Sequence, residues 1–191
     1  MKILREVGIT ILIAVAVFIA LQLNVQSYTV VMSSMEPNFH DGECIMVNKV
    51  SYRSSDPQRG DVIVFDPPFE SSYPFIKRVV GLPGETVEIK GGKVFINGMP
   101  LDEEYIMAPP NDPMSAREVP DNEYFVLGDN RNNSTDSSKG WTVARDNIIG
   151  KAWFIYWPPD KWGIVKHYNY PELLGTEGQE IALHQLPGDV T

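Results

Sequence analysis

From Val7 to Leu23 the chain reads VGITILIAVAVFIALQL, an apolar run broken only by Thr10 and Gln22. At about 1.5 Å of rise per residue this stretch would span roughly 26 Å as a helix, enough to cross a bilayer core. A helix of this composition has no polar face to turn toward water, so the reading as a buried helix of a soluble domain is weak. Lys2 and Arg5 precede the run, and no Lys or Arg follows until Lys49. The excess of basic residues before the run predicts that residues 1–6 stay in the cytoplasm and that the chain after Leu23 lies outside it. A cleavable leader would need a small-x-small site past the apolar core, and Asn24-Val25-Gln26-Ser27-Tyr28 offers none. The sequence therefore predicts a single-pass anchor at 7–23 in the plasma (inner) membrane, in contact with the lipid bilayer.

The rest of the 191 residues is long enough for one core. A formal net charge of −9 disfavours a nucleic-acid surface, which needs clustered cations. The single cysteine, Cys44, excludes an intramolecular disulfide and a cysteine cluster for metal, and its place at the head of an apolar run predicts burial.

Beyond the anchor, period-2 alternation and β-branched residues predict a mainly β domain over 24–170. Candidate strands are Tyr28 to Val31, Cys44 to Val50, Asp61 to Phe65, Phe75 to Val80, Thr86 to Lys90, Lys93 to Ile96, Glu123 to Leu127 and Ile148 to Trp157. Gly91-Gly92 marks a hairpin turn and Asn97-Gly98 another turn. Leu101 to Pro120, with four prolines and no sustained period, predicts an irregular, mobile excursion. Residues 171–191 read as a loosely attached tail.

Three segments carry chemistry. Ser33-Ser34-Met35-Glu36-Pro37 follows the first strand, and a serine there is by itself a turn residue. Phe75-Ile76-Lys77-Arg78-Val79-Val80-Gly81-Leu82-Pro83-Gly84 sets two cations inside an apolar strand, where alternation sends them to opposite faces. One of the two should face an apolar environment; alone, the pair would read as protection of an edge strand. Gly128-Asp129-Asn130-Arg131-Asn132-Asn133-Ser134-Thr135-Asp136-Ser137 is a polar loop after a strand. A serine needs a base, and His40, His167 and His184 sit in polar or terminal contexts without a motif. A lysine can serve if burial lowers its pKa, and Ile76, Val79 and Val80 give Lys77 apolar neighbours; the Arg78 guanidinium stays charged. Arg59-Gly60-Asp61 reads as a turn into a strand, and the sequons at Asn132 and Asn133 carry no weight.

In this order behind an apolar N-terminal run, these segments, with Asp41-Gly42-Glu43 to Lys49 and Arg59 to Phe65 between them, resemble the sequence boxes of type I signal peptidases over roughly Val7 to Lys151. The resemblance implies an antiparallel β catalytic domain behind one transmembrane helix. It also implies a serine endopeptidase that removes signal peptides from exported preproteins after small-x-small sites, with no metal or organic cofactor. Ser34 would be the nucleophile and Lys77 the general base. Ser134 would orient the lysine, Asp129 would pair with Arg78, and Asp136 with Ser137 would stiffen the loop. Val30, Met32, Met35, Phe39, Phe75 and Ile76 match the family's substrate-binding positions. The chain departs from the pattern at Ser138, where an arginine is usual, so that Asp136 either lacks its ion pair or takes Lys139. At Met32 a hydroxyl or glycine is usual. An extended backbone there would point Met32 to the side of Ser34 and leave Ser33 a bystander, with the Met32 backbone or a water as second oxyanion donor.

Two other readings stay open at this point. One is a repressor-type self-cleaving Ser/Lys protease; the other is a single-pass β-rich binding protein in which the boxes are structural.

Overall fold

The computed structural model describes residues 2–170, with backbone alone at positions 4, 19–21 and 23. His184 and the expected tail at 171–191 lie outside the described residues. Helix α1 (Lys2–Asn24) covers the apolar run and leads straight into the β domain. Ile9, Leu12, Ile13, Val17 and Phe18 on it are all exposed, so these side chains pack on no described part of the β domain. Among the described residues no helix is long and apolar enough to cross a membrane.

The strands are β1 (Val25–Thr29), β2 (Cys44–Asn48), β3 (Val62–Phe65), β4 (Phe75–Gly81), β5 (Thr86–Lys90), β6 (Lys93–Ile96), β7 (Met99–Pro100), β8 (Met114–Glu118), β9 (Glu123–Leu127), β10 (Val143–Ala144), β11 (Ile148–Trp157) and β12 (Gly163–Ile164). All pairings are antiparallel. One sheet runs β1-β2-β11-β3-β4-β9-β10, with β12 against β11, and a second runs β7-β6-β5-β8. The mainly β, antiparallel expectation holds.

Alternation explains how one sheet feeds separate cores. On β3, Val62 and Val64 pack with Val30, Met35, Phe39, Ile45 and Val47, whereas Ile63 and Phe65 pack with Tyr52, Val79 and Val126. On β9, Phe125 and Leu127 face the second sheet, joining Val87, Ile89, Val94 and Ile96. β4 thus lies where the sheets meet, with β3 on one side and β9 on the other.

Three expectations change. The first strand starts earlier, at Val25, because its ladder with β2 begins where α1 ends, at Val25 against Asn48. The excursion at 101–120 contains β8, whose Met114 and Arg117 pair with β5, so a partner strand supplies the order that its own sequence lacks. Its irregular part is also tied down: Met107 N–H donates to the Asp129 carbonyl (3.1 Å), and Asn132 bonds both Pro109 and Asn111. Cys44 is half-buried rather than buried, since it stands where β2 meets the sheet end.

Candidate active site

The segment after β1 leaves the ladder and turns. Met32 takes φ 69°, in the left-handed region, so the extended geometry expected from Met32 to Ser34 is not formed. Its backbone N–H donates to Asp41 Oδ1 at 2.7 Å, which removes it as an oxyanion donor, and its side chain is exposed. The next residues form a compact turn, with Asn38 and Phe39 N–H groups both bonding the Met35 carbonyl. Met35 and Phe39 sink into the core beside Val30 and pin the turn by burial. These three predicted substrate contacts are therefore covered, while Phe75 and Ile76 on β4 are half-exposed.

On β4 both cations are buried, one more than alternation required, because Tyr105 and Tyr168 from the second sheet's core cover Arg78 while the Ser34 turn and the Phe75 ring cover Lys77. Lys77 Nζ donates to Ser34 Oγ at 2.8 Å and to the Ile76 carbonyl at 2.8 Å, with the Phe75 ring 5.3 Å away. Burial pushes its pKa down to about 8, against the pull of Asp136 and Asp129 in the other direction. Arg78 goes the other way. Its Nε and Nη2 donate to the two oxygens of Asp129 at 2.9 and 2.7 Å, Nη1 donates to the Gly60 carbonyl, and the guanidinium stacks on Tyr105 and Tyr168.

The loop after β9 closes the site. Asn130 N–H donates to the Ser34 carbonyl at 3.1 Å and its carboxamide donates to the Ser33 carbonyl at 3.1 Å. Asn133 Nδ2 donates to Ser33 Oγ at 2.9 Å, so Ser33 belongs to the loop contact. A side chain at Gly128 would collide with both Ser134 Oγ and the Ser34 carbonyl, so this close approach requires glycine. Among the described residues Ser134 Oγ is buried with no hydrogen-bond partner, although the resemblance implied a bond to Lys77.

Asp136 is buried, and among the described residues no cation pairs with it. It accepts from the Gly128 N–H (3.0 Å) and from the Ser138 N–H and hydroxyl, so neutral donors satisfy it in place of the expected arginine. Lys139 lies toward Asp112 instead, at 3.8 Å on the surface.

The histidines are elsewhere. His40 bonds Glu43, and His167 Nδ1 accepts from the Val62 N–H; burial, then Lys151, lowers the His167 pKa to about 4. Arg59, Gly60 and Asp61 are buried, consistent with a turn into β3. Among the described residues no group of His, Cys, Asp or Glu is placed to hold a metal ion.

Sequence reasoning missed Asn38, Tyr105 and Glu103. Asn38 Nδ2 donates to Asp129 Oδ2 (2.8 Å) and to the Tyr105 carbonyl (2.8 Å), and a buried Glu103–Arg131 pair fastens the excursion to the loop. The asparagine inside the Ser34 turn was the one signal available.

A family model described as signal peptidase, peptidase S26, matches residues 3–157. A probable signal peptidase I-1 from Synechocystis sp. is 44% identical over 144 residues, which cover 72% of this chain and 74% of that protein. A signal peptidase I from Leptolyngbya laminosa is 40% identical over 169 residues (84% and 81%), and signal peptidase IB from Staphylococcus aureus is 34% identical over 190 residues (90% and 97%). A solved signal peptidase I from Enterococcus faecalis aligns with 34% identity and a TM-score of 0.45, over 51% of this chain and 97% of its own. The chain belongs to the signal peptidase family, peptidase S26, and is a serine endopeptidase of the type I signal peptidase kind.

Proposed function

We propose that the chain removes signal peptides from exported preproteins through an acyl-enzyme on Ser34, with Lys77 as general base. The observation that carries the reading is the 2.8 Å contact between Ser34 Oγ and a buried lysine. The two hydrogen-bond acceptors of that lysine are a hydroxyl and a carbonyl, and among the described residues no carboxylate pairs with it. With its pKa near 8, about one Lys77 in ten is neutral at pH 7, against fewer than one in a thousand for an ordinary lysine. The neutral amine takes the Ser34 proton as Oγ adds to the scissile carbonyl; the resulting ammonium returns the proton to the leaving amine. Water then repeats the sequence on the ester and frees Ser34. The Ser34 backbone N–H serves as an oxyanion donor. Because the Met32 N–H is held by Asp41, the second donor is a bound water or another group.

Substrates bind extended, with small side chains near the cleavage point, against the half-exposed Phe75 and Ile76 and the exposed Met32, over a floor formed by Val30, Met35 and Phe39. The run at 7–23 anchors the chain in the plasma (inner) membrane as a single pass, with 24–170 as catalytic domain on the extracytoplasmic side. What supports this is a helix whose described apolar side chains are exposed, with no described residue covering them. A self-cleaving repressor-type protease and a non-catalytic binding protein both lose ground to the family match along residues 3–157.

The test is cleavage of a model precursor in detergent. Ser34→Ala and Lys77→Ala should each reduce turnover by about 1000-fold or more, and the double variant should lose no more, as residues acting as a unit behave. Wild-type kcat/KM should rise about tenfold per pH unit below pH 8 and level off above it, because the active amine is the deprotonated form. An acid limb centred near 6.5 instead, abolished by a histidine substitution, would take the role from Lys77.

A further inference from the structure

Ser34 and Lys77 lie on elements that share no ladder: Ser34 is on the turn after β1, while β4 pairs with β3 and β9. Their 2.8 Å contact therefore depends on whatever fixes the turn against β4. At the Ser33–Ser34 end the fixing group is Asn130, through the two bonds already described. At the other end it is Asn38. Its carboxamide has two N–H donors, and both are used, on Asp129 Oδ2 and on the Tyr105 carbonyl. Asp129 in turn grips Arg78 with both oxygens, and Arg78 is the residue after Lys77 on β4. A continuous route thus runs from the Ser34 turn through Asn38, Asp129 and Arg78 to the neighbour of the base.

We infer that Asn38 is a positioning residue, fastening the Ser34 turn to the Asp129–Arg78 pair and so setting the separation of Ser34 Oγ and Lys77 Nζ. The inference rests on the reading of those two residues as the dyad. Without the carboxamide the turn keeps its hold at Asn130 and the burial of Met35 and Phe39, but loses its direct tie to the Asp129–Arg78 pair and with it the exact setting of the turn against β4. A displacement of about 1 Å at the reacting atoms costs on the order of 100-fold in rate.

The groups around Asn38 define a test by pH. Asp129 faces its carboxamide directly, with Arg78 behind Asp129 and Lys77 next on β4. From the excursion come Tyr105, whose pKa burial raises well above the ordinary value, and the Glu103–Arg131 pair beyond it. In Asn38→Asp the donor is lost and a second carboxyl stands against Asp129. At high pH the two repel; as pH falls they share a proton, and the shared proton restores a hydrogen bond between turn and pair. Asn38→Leu has no such recovery.

Full-length protein in detergent is assayed on the model precursor with wild type, Asn38→Leu, Asn38→Asp, Ser34→Ala and Lys77→Ala. Expected for Asn38→Leu is a kcat 10- to 100-fold below wild type with KM within about threefold, the ratio to wild type staying flat from pH 5.5 to 8. For Asn38→Asp the ratio should climb at least fivefold as pH falls over that range. Titration of Lys77 cancels in the Asn38→Leu ratio; in Asn38→Asp the added carboxylate also raises the Lys77 pKa, as Asp129 does, so the midpoint of each protein's own kcat profile is fitted and divided out before the ratios are compared. If thermal unfolding shows either variant unfolded, Asn38→Ser, whose hydroxyl serves one acceptor of the two, should show a 3- to 10-fold loss in kcat. Wild-type kcat in Asn38→Leu or in its serine substitute, a loss confined to KM, or a flat ratio for Asn38→Asp overturns the inference. Continued cleavage by Ser34→Ala or Lys77→Ala would instead overturn the dyad, which separates the two failures.

Discussion

Lys77 and Arg78 are adjacent cations on one strand, both almost fully buried, and the protein treats them in opposite ways. Arg78 receives a carboxylate in bidentate geometry, a backbone carbonyl and two aromatic faces, everything that keeps a buried guanidinium charged. Lys77 receives a hydroxyl, a carbonyl and an aromatic ring, and the two nearest aspartates spend their oxygens elsewhere. One face of β4 thus stabilises charge and the other withholds stabilisation. The first makes a rigid joint between sheets; the second makes a lysine that loses its proton within reach of neutral pH. On the proposed mechanism, the face a side chain takes on this strand decides between a structural and a reactive cation.

The most severe way to break this contrast is to remove the counter-ion on the Arg78 side. Asp129→Ala leaves a buried guanidinium without its carboxylate and Asn38 without an acceptor, so the unfolding free energy should fall by about 3–5 kcal/mol. Urea unfolding of the detergent-solubilised protein measures it. A change under about 1 kcal/mol would mean that solvent reaches Arg78 and that the joint is not one.

How much of this could be read in the sequence follows from range. Strands β2 to β6, β9 and β11 announce themselves through alternation and bounding turns, because the pattern that selects a strand is local. β8 does not, since Met114–Glu118 has its inner face set by β5, nearly thirty residues earlier. The serine, the lysine and the aspartate of the loop were legible as ordered motifs and as a chemical need for a base. Their scaffold was not: the turn at Met32 depends on Asp41 accepting its N–H, and the Asn38–Asp129 and Glu103–Arg131 contacts join residues far apart in the chain. Composition carries no trace of such pairings. The same distance effect explains why Lys77 and Arg78 are both buried although alternation asked for one, since a second sheet covers the face that a lone sheet would leave to water.

A smaller effect of opposite sign belongs to the Lys77 face. The folded pKa is lowered to about 8 from an ordinary 10.5, so the charged form is disfavoured in the fold. That penalty is fully present below pH 8 and disappears as pH rises from 8 toward 10.5, where the unfolded chain also loses the proton. Lys77→Met keeps the volume without the charge, forfeits two hydrogen bonds, and should raise stability at pH 7 by on the order of 2 kcal/mol. The gain should shrink toward zero by pH 10. A constant difference across that range would point to packing and leave the contrast with Arg78 without electrostatic content.

The smallest expected effect is at Ser134 and concerns the same face. Its hydroxyl is buried against Gly128, as the Ser34 carbonyl is, with no hydrogen-bond partner among the described residues, an arrangement that costs about 1–3 kcal/mol relative to a satisfied group. A fold selected for stability alone would have alanine there. The hydroxyl has a use in the tetrahedral intermediates of the proposed reaction, where Ser34 Oγ is bonded to the substrate carbon and Lys77, holding the transferred proton, has lost that acceptor. Ser134→Ala should accordingly leave stability unchanged or raise it by up to about 1 kcal/mol, while slowing turnover about tenfold. Urea unfolding and precursor cleavage on the same preparation separate the possibilities. A matched loss in both would make Ser134 a structural hydroxyl whose partner forms in solution; unchanged turnover would leave Lys77 oriented by Ser34 and Ile76 alone, and the reactive face of β4 would then be complete without the loop that covers it.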